Sequence, residues 1–185
     1  MSTTSQAAAI AQYEIDPAHS GAQFKVRHMM IANVRGEFSK VSGKVAFDPA
    51  NPAASSIDVA IDASSLSTRE PQRDEHLKSA DFLDVAKYPS ITFVSKKIVP
   101  DGKDAYQVSG DLTIHGVTRE VKLLVDAVTP EAKDPWGGAR RGATASTTIS
   151  RKDFGLTWNM ALEAGGVLVG EDIHITIEVE LVRKG

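Results

Sequence analysis

The chain has 185 residues, 42% of them hydrophobic, and a net charge of −3, enough for one domain with a core of its own. Without a single cysteine it has no disulfide staple, thiol nucleophile or cysteine-ligated metal centre. A pI near 5.9 speaks against general nucleic-acid binding. The basic pairs Lys96-Lys97 and Arg140-Arg141 read as solvated strand edges or turns.

In chain order, residues 1–12 come first. They are rich in Ala and Ser and carry no basic n-region, and the apolar stretch Ala7 to Ala11 is shorter than the ~7–15 residues of a secretory h-region. The expectation is a disordered leader on a cytoplasmic protein, ahead of a single domain over residues 13–183. No apolar run approaches the ~20 residues of a membrane-spanning helix.

From there the period is two. Phe24, Val26 and His28 alternate with Lys25, Arg27 and Met29, and Ile57, Val59 and Ile61 alternate with Asp58, Ala60 and Asp62. Val34–Phe47, with an interruption, Ile91–Val99, Tyr106–His115 and Ala143–Ser150 are further strands. Val117, Val121, Leu123 and Val125 share one face. The last run sets Ile173, Ile175, Ile177, Val179 and Leu181 against Asp172, His174, Thr176, Glu178 and Glu180. Such alternation describes strands with one dry and one wet face. Turn residues separate them, at Asp48-Pro49, Pro100-Asp101-Gly102, His115-Gly116 and Asp134–Gly138. Glu70-Pro71 breaks the pattern and opens one helix, with acids in its first turn and Leu77 and Ala80 as its apolar residues.

About eight strands at hairpin spacing predict an all-β sandwich or barrel. Long strands favour closure, which removes exposed edges. An eight-stranded barrel has an interior that either fills with side chains or holds one small ligand. The strand from Ala143 offers Ala143, Ala145, Thr147 and Ile149 to one face, and side chains that small leave room. Whether the helix or a ligand takes that room is left open by periodicity.

Several blocks in order carry a resemblance. Asp16-x-x-His19-Ser20 leads to Phe24-x-Val26-x-His28, then Gly36-x-Phe38 and Gly43-x-Val45-x-Phe47. Arg73-Asp74-x-His76-Leu77, Asp81-Phe82-Leu83-Asp84 and Tyr88-Pro89-x-Ile91-x-Phe93 follow. Gly110-x-Leu112-x-Ile114-His115-Gly116 and Ser150-Arg151-x-Asp153-Phe154-Gly155 complete the set. Over Tyr13 to Leu181 the chain resembles the YceI-like family of polyisoprenoid-binding proteins. The resemblance implies an all-β fold, an extended eight-stranded antiparallel lipocalin-like β-barrel with one helix packed against it, commonly a homodimer. It also implies a lumen for a long-chain isoprenoid, a quinone tail or a related lipid. On that footing the ligand-facing residues are Phe24, Val26, His28, Phe38, Val45, Ile61, Phe93, Leu112, Ile114, Leu123, Ala145, Phe154, Trp158, Ile175 and Ile177. Many members are periplasmic or secreted, and the leader here departs from theirs.

The residues themselves offer little catalytic chemistry. His19, His28, His76, His115 and His174 form no compact metal-binding pair, so no metal and no cofactor is expected. There is no nucleophile elbow. Asp16, His19 and Ser20 sit too close in sequence for a triad. They read as a turn in which Asp16 accepts backbone N–H groups and His19 pins a neighbouring strand. Gly165 to Gly170 lacks the ending of a phosphate loop and reads as a turn. Arg151 and Asp153 read either as an ion pair closing a barrel corner or as a polar group at the lumen mouth. Trp158 and Met160 fit a lumen cap or plain core. A histidine-based lipid- or quinone-modifying enzyme and a solidly packed structural barrel are the alternatives to lipid binding.

Overall fold

In the computed structural model, which describes residues 9–163 and 165–185, alternation becomes a closed antiparallel barrel. Its strands are β1 (Ala11–Ile15), β2 (Gly21–His28), β3 (Ala32–Phe38), β4 (Val41–Phe47), β5 (Ser56–Asp62) and β6 (Leu66–Ser67). After helix α1 (Pro71–Lys78) come β7 (Ser90–Pro100), β8 (Tyr106–Ile114), β9 (Val117–Asp126), β10 (Ala132–Lys133), β11 (Ala139–Ser150) and β12 (Val169–Lys184). The ring runs β12-β1-β4-β5-β7-β8-β9-β11 and returns to β12, so eight strands close it. The first eight residues of the expected leader lie outside the described residues, and Ala11 and Gln12 belong to β1, paired with β4.

Closure depends on β12, sixteen residues long. One edge pairs with β11 along Ser150 to Arg140, and the other pairs first with β2 and then with β1. β1 and β2 are thus one stave with a kink, formed by the short 3-10 turn Pro17–His19. Asp16 caps that turn by accepting the Ala18 N–H at 3.0 Å. The Asp16 N–H donates to the Glu180 carbonyl at 2.8 Å, and the Glu180 N–H donates to the Ser20 hydroxyl at 3.0 Å. The expected Asp-x-x-His-Ser turn is present, but Asp16 and Ser20 pin it to β12, while His19 bonds only to Asp16 at 2.9 Å. A second capped turn, Ala63–Ser65 behind Asp62, bends β5 into β6 in the same way. The expected interruption of Val34–Phe47 is the break between β3 and β4.

At the helix end β3 pairs with β2 along one edge and, along the other, with the two-residue β6. Helix α1 runs on from there and covers that side of the lumen. Pro71 opens it and the Glu70 carboxylate caps it, accepting the Gln72 N–H. Its dry face is thin: Leu77 packs on the core, while Ala80 lies beyond the helix end. Polar contacts to Thr68 dock it. Asp74 Oδ1 accepts the Thr68 N–H at 2.7 Å and the Thr68 hydroxyl, and Arg73 donates to the Thr68 hydroxyl and carbonyl at 2.7 and 2.9 Å.

Candidate functional site

Inward residues of the staves leave a partly open cavity of about 460 Å³ at the helix end. Its wall is almost wholly apolar, with Phe24, Val26, Val34, Ile173, Ile175 and Ile177 on one side and Ile61, Ile91, Phe93, Leu112 and Ile114 on the other. A smaller chamber of about 110 Å³ continues toward the far end, lined by Ile15, Val45, Phe47, Tyr106, Ala143 and Ala145 among others. Val59, Phe93, Leu123 and Ile177 line both and form a neck between them.

The neck has a local cause. Gly110 on β8 faces inward under the Phe93 ring, and a Cβ there would collide with that ring and with the Val94 carbonyl oxygen. Gly36 does the same for Phe24, its partner across β2 and β3; the Phe24 ring lies over it and tilts against Phe38, centroids 5.6 Å apart. Small residues on β11 add the remaining space, since Ala143, Ala145 and Thr147 face Val179, Ile177 and Ile175.

Of the residues expected to face a ligand, Phe24, Val26, His28, Phe38, Ile61, Leu112, Ile114, Trp158 and Ile175 line the large chamber. Val45 and Ala145 line the small one, and Phe93, Leu123 and Ile177 belong to the neck. Phe154 is the exception. It is fully buried but lines neither chamber, because the 3-10 turn Arg151–Phe154 carries it into the core between β9 and β11. Trp158 meets His76 and Phe82 as an aromatic cluster beside α1, whereas Met160 faces solvent.

Arg151 lines the large chamber and is not the ion pair with Asp153 that the sequence allowed. It is 2% exposed and makes no pair with Asp153; its guanidinium donates to the carbonyls of Leu156, Trp158, Gly170 and Val169 at 2.6, 2.9, 2.7 and 3.3 Å. Burial lowers its pKa from the usual arginine range. Asp153 uses its backbone carbonyl, which accepts from Arg119. The Arg151 side chain therefore ties the loop after β11 to the start of β12 at the wall of the large chamber. Residues from the helix complete that wall: Gln72, Arg73, His76 and Leu77. The alternation signal is blind to them, although the helix boundaries were legible.

The far end is plugged. Arg141 points inward opposite Leu181, its guanidinium carbon 5.2 Å from the Phe47 ring centroid. It donates to the Tyr13 hydroxyl at 3.0 Å, and that hydroxyl donates to Glu131 at 2.6 Å. Burial raises the Tyr13 pKa, with the bond to Glu131 adding to it. Arg140 points the other way and bridges Asp16 and Glu180 at 2.7 Å each, and Asp134 at 2.9 Å. Neither arginine is the solvated edge charge expected of the pair. Asp16, His19 and Glu180 bring three donor atoms within 4.8 Å of one another, but the Arg140 guanidinium already supplies the positive charge between the two carboxylates. His174 bonds to the Thr148 hydroxyl at 2.8 Å on the outer face. Gly165 and Gly166 form the expected turn, whereas Gly170 lies within β12.

Comparison with known proteins follows the same outline. The YceI-like domain model matches residues 13–181. A UPF0312 protein of Pectobacterium atrosepticum is 36% identical over 186 aligned residues, spanning 100% of this chain and 93% of that protein. A UPF0312 protein of Vibrio cholerae is 41% identical over 152, covering 81% and 80%. Among solved structures, Burkholderia cenocepacia BcnA superposes with a TM-score of 0.78 at 26% identity, covering 90% of this chain and 98% of BcnA. The Campylobacter jejuni YCEI protein gives 0.70 at 33% identity over 86% and 90%. A polyisoprenoid binding domain from Saccharophagus degradans shares the fold, with a TM-score of 0.68 at 15% identity over 93% and 98%.

Proposed function

The chain belongs to the YceI-like family, and from that membership and the shape of its lumen we propose that it binds one long apolar lipid, a polyisoprenoid or an isoprenoid quinone, for sequestration, storage or transport. The apolar chamber of about 460 Å³ carries the reading; ligand pockets occupy roughly 300–1,000 Å³ and are lined mainly by apolar side chains. The fold shared with a polyisoprenoid binding domain supports it. Burying ~500 Å² of hydrocarbon at ~25 cal/mol/Å² contributes ~12 kcal/mol before immobilisation costs, so affinity needs no specific polar contact. The polar side chains near the helix end, His28, Gln72 and Arg73, are where a head group would sit. The role in this reading is binding: His76 and Asp81 beside the chamber are 2.8 Å apart, and the Ser79 hydroxyl next to them donates to the His76 backbone carbonyl, not to the imidazole or the carboxylate.

Organic extraction of protein purified from its own host, followed by mass spectrometry, tests the proposal. A stoichiometric prenyl lipid is the expected result. An extract without lipid, from protein that also fails to take up added solanesol, would overturn it. The homodimer implied by the family resemblance is part of the same proposal and must be non-covalent, since cysteine is absent. Light scattering should read twice the 19.8 kDa chain mass, and the chain mass unchanged on concentrating removes the dimer alone.

A further inference from the structure

The hairpin joining β2 to β3 projects at the helix end of the barrel with Met29, Met30 and Ile31 at its tip. Ile31 is 74% exposed and Met30 54%, and Met160 on the adjoining loop is 57% exposed. A turn normally carries polar residues or glycine. Here both methionines take positive φ, 52° and 58°, a conformation that favours Gly or Asn. The tip is not loose. The Met29 N–H donates to the Leu168 carbonyl at 2.7 Å, the Ile31 N–H to the His28 carbonyl at 3.0 Å, and Arg27 to the Met30 carbonyl at 3.2 Å. Three large apolar side chains are thus held in water by an ordered, conformationally costly turn.

Charge on the half of the hairpin nearest the tip is positive, while Glu37, the hairpin's one carboxylate, lies at its base opposite Gln23. Lys25 faces Arg35 across the two strands, and Arg27 follows on that outer face. None of the three lies within ion-pair distance of a carboxylate among the described residues. On neighbouring β12, Glu171 is paired with Lys152 at 2.6 Å and Asp172 follows it, while Glu178 and Glu180 lie toward the other end of the strand. The inner face of the hairpin, through Phe24, Val26 and His28, is the wall of the large chamber.

We propose that this hairpin docks the barrel on an anionic bilayer surface, Met29, Met30, Ile31 and Met160 entering the interface while Lys25, Arg27 and Arg35 meet lipid phosphates. Exposed apolar residues beside a cluster of cations are the composition of an interfacial anchor. A second copy pairing tip to tip would set these cations against their own equivalents, whereas an anionic bilayer complements them. Docked this way, the helix end of the chamber faces the layer in which an apolar lipid resides. The docking stands independently of what fills the lumen.

Vesicle flotation tests it, with phosphatidylcholine alone and with phosphatidylcholine and phosphatidylglycerol in equal parts. The full chain should float with the mixed vesicles at low salt and much less with phosphatidylcholine alone. Lys25→Gln combined with Arg35→Gln should cut partitioning roughly 30-fold, taking about one kcal/mol per cation near an anionic surface. Met30→Ser combined with Ile31→Ser should cut it several-fold, and the single Ile31→Ser serves if the pair misfolds. Both double variants should still bind a dansylated farnesyl probe in vesicle-free solution, which separates docking from lumen binding. Equal flotation of wild type and variants, or no flotation of the wild type, overturns the proposal. So does a doubled mass in light scattering that the tip variants abolish, which assigns the tip to a second copy.

Discussion

Arg151 shows what one residue contributes here. A buried guanidinium without a carboxylate survives only because four carbonyls supply compensating dipoles. Arg151→Ala strands those carbonyls at the chamber wall and should cost about 3–5 kcal/mol in urea denaturation; Arg151→Lys, with fewer donors, should lie between. Asp16 and His19 act differently, because their pair is solvent-exposed and pH-dependent. The bonds from His19 and Arg140 hold Asp16 down at about 2, and the bond to Asp16 raises His19. Stability from Asp16 is present above its unfolded value near 4 and is lost as pH falls toward about 2. Stability from His19 is full below about 6.5, its unfolded value, and is lost as pH rises through the raised folded value. His19→Asn should therefore flatten the alkaline side of a Tm-against-pH profile and weaken the acid limb to the part that Arg140 and the Ala18 N–H sustain. An unchanged alkaline side would show that the pair adds nothing to stability.

Among the elements, α1 is weakly anchored by apolar contact and depends on a few polar ones. With Leu77 as its main dry residue, its position follows from Asp74 and Arg73 gripping the buried Thr68. Asp74→Ala should release the helix locally, at about 1–3 kcal/mol for the two donors it orphans. Hydrogen exchange over residues 71–78 should accelerate well before that of β8 or β12. Exchange that stays slow in the helix would mean that the aromatic cluster of His76, Phe82 and Trp158 docks it instead. The strands need no such device. β11 and β12 pair along eleven residues in unbroken register, and a slip of one position would turn every isoleucine of β12 outward.

For the whole molecule, the decisive feature is that the barrel is filled at one end, open at the other and narrowed between. The Arg141, Tyr13 and Glu131 plug stops the far end, and the neck of Val59, Phe93, Leu123 and Ile177 divides the rest. Phe93→Ala should join the two chambers and shift retained lipid toward longer chains, read by mass spectrometry of extracts. It should also lower stability by about 3 kcal/mol when the lumen is empty, as large-to-small core changes do. The gentler Val59→Ala should move the same distribution less. An unchanged chain-length profile in both would show that the neck does not limit occupancy.

How much of this was legible beforehand divides by the range of the interactions. Alternation is local, so Phe24, Val26, Ile175 and Ile177 could be assigned to the dry face from the sequence, and Pro71 and Glu70 marked the helix start. The kink at Asp16 to Ser20 was likewise written in a short motif. Phe154 misled because an apolar residue after a strand belongs equally to a lumen or to the core, and only the path of the turn Arg151–Phe154 distinguishes them. Arg140 and Arg141 misled for a related reason: adjacent residues on β11 point to opposite faces, one into a carboxylate cluster and one into the plug, with partners from Tyr13 to Glu180. Fold class and strand faces thus follow from the sequence alone, since each depends on neighbours a few residues away. The empty volume, its neck and its plug were decided by tertiary structure, because they are sums over side chains that only closure of the barrel brings opposite one another.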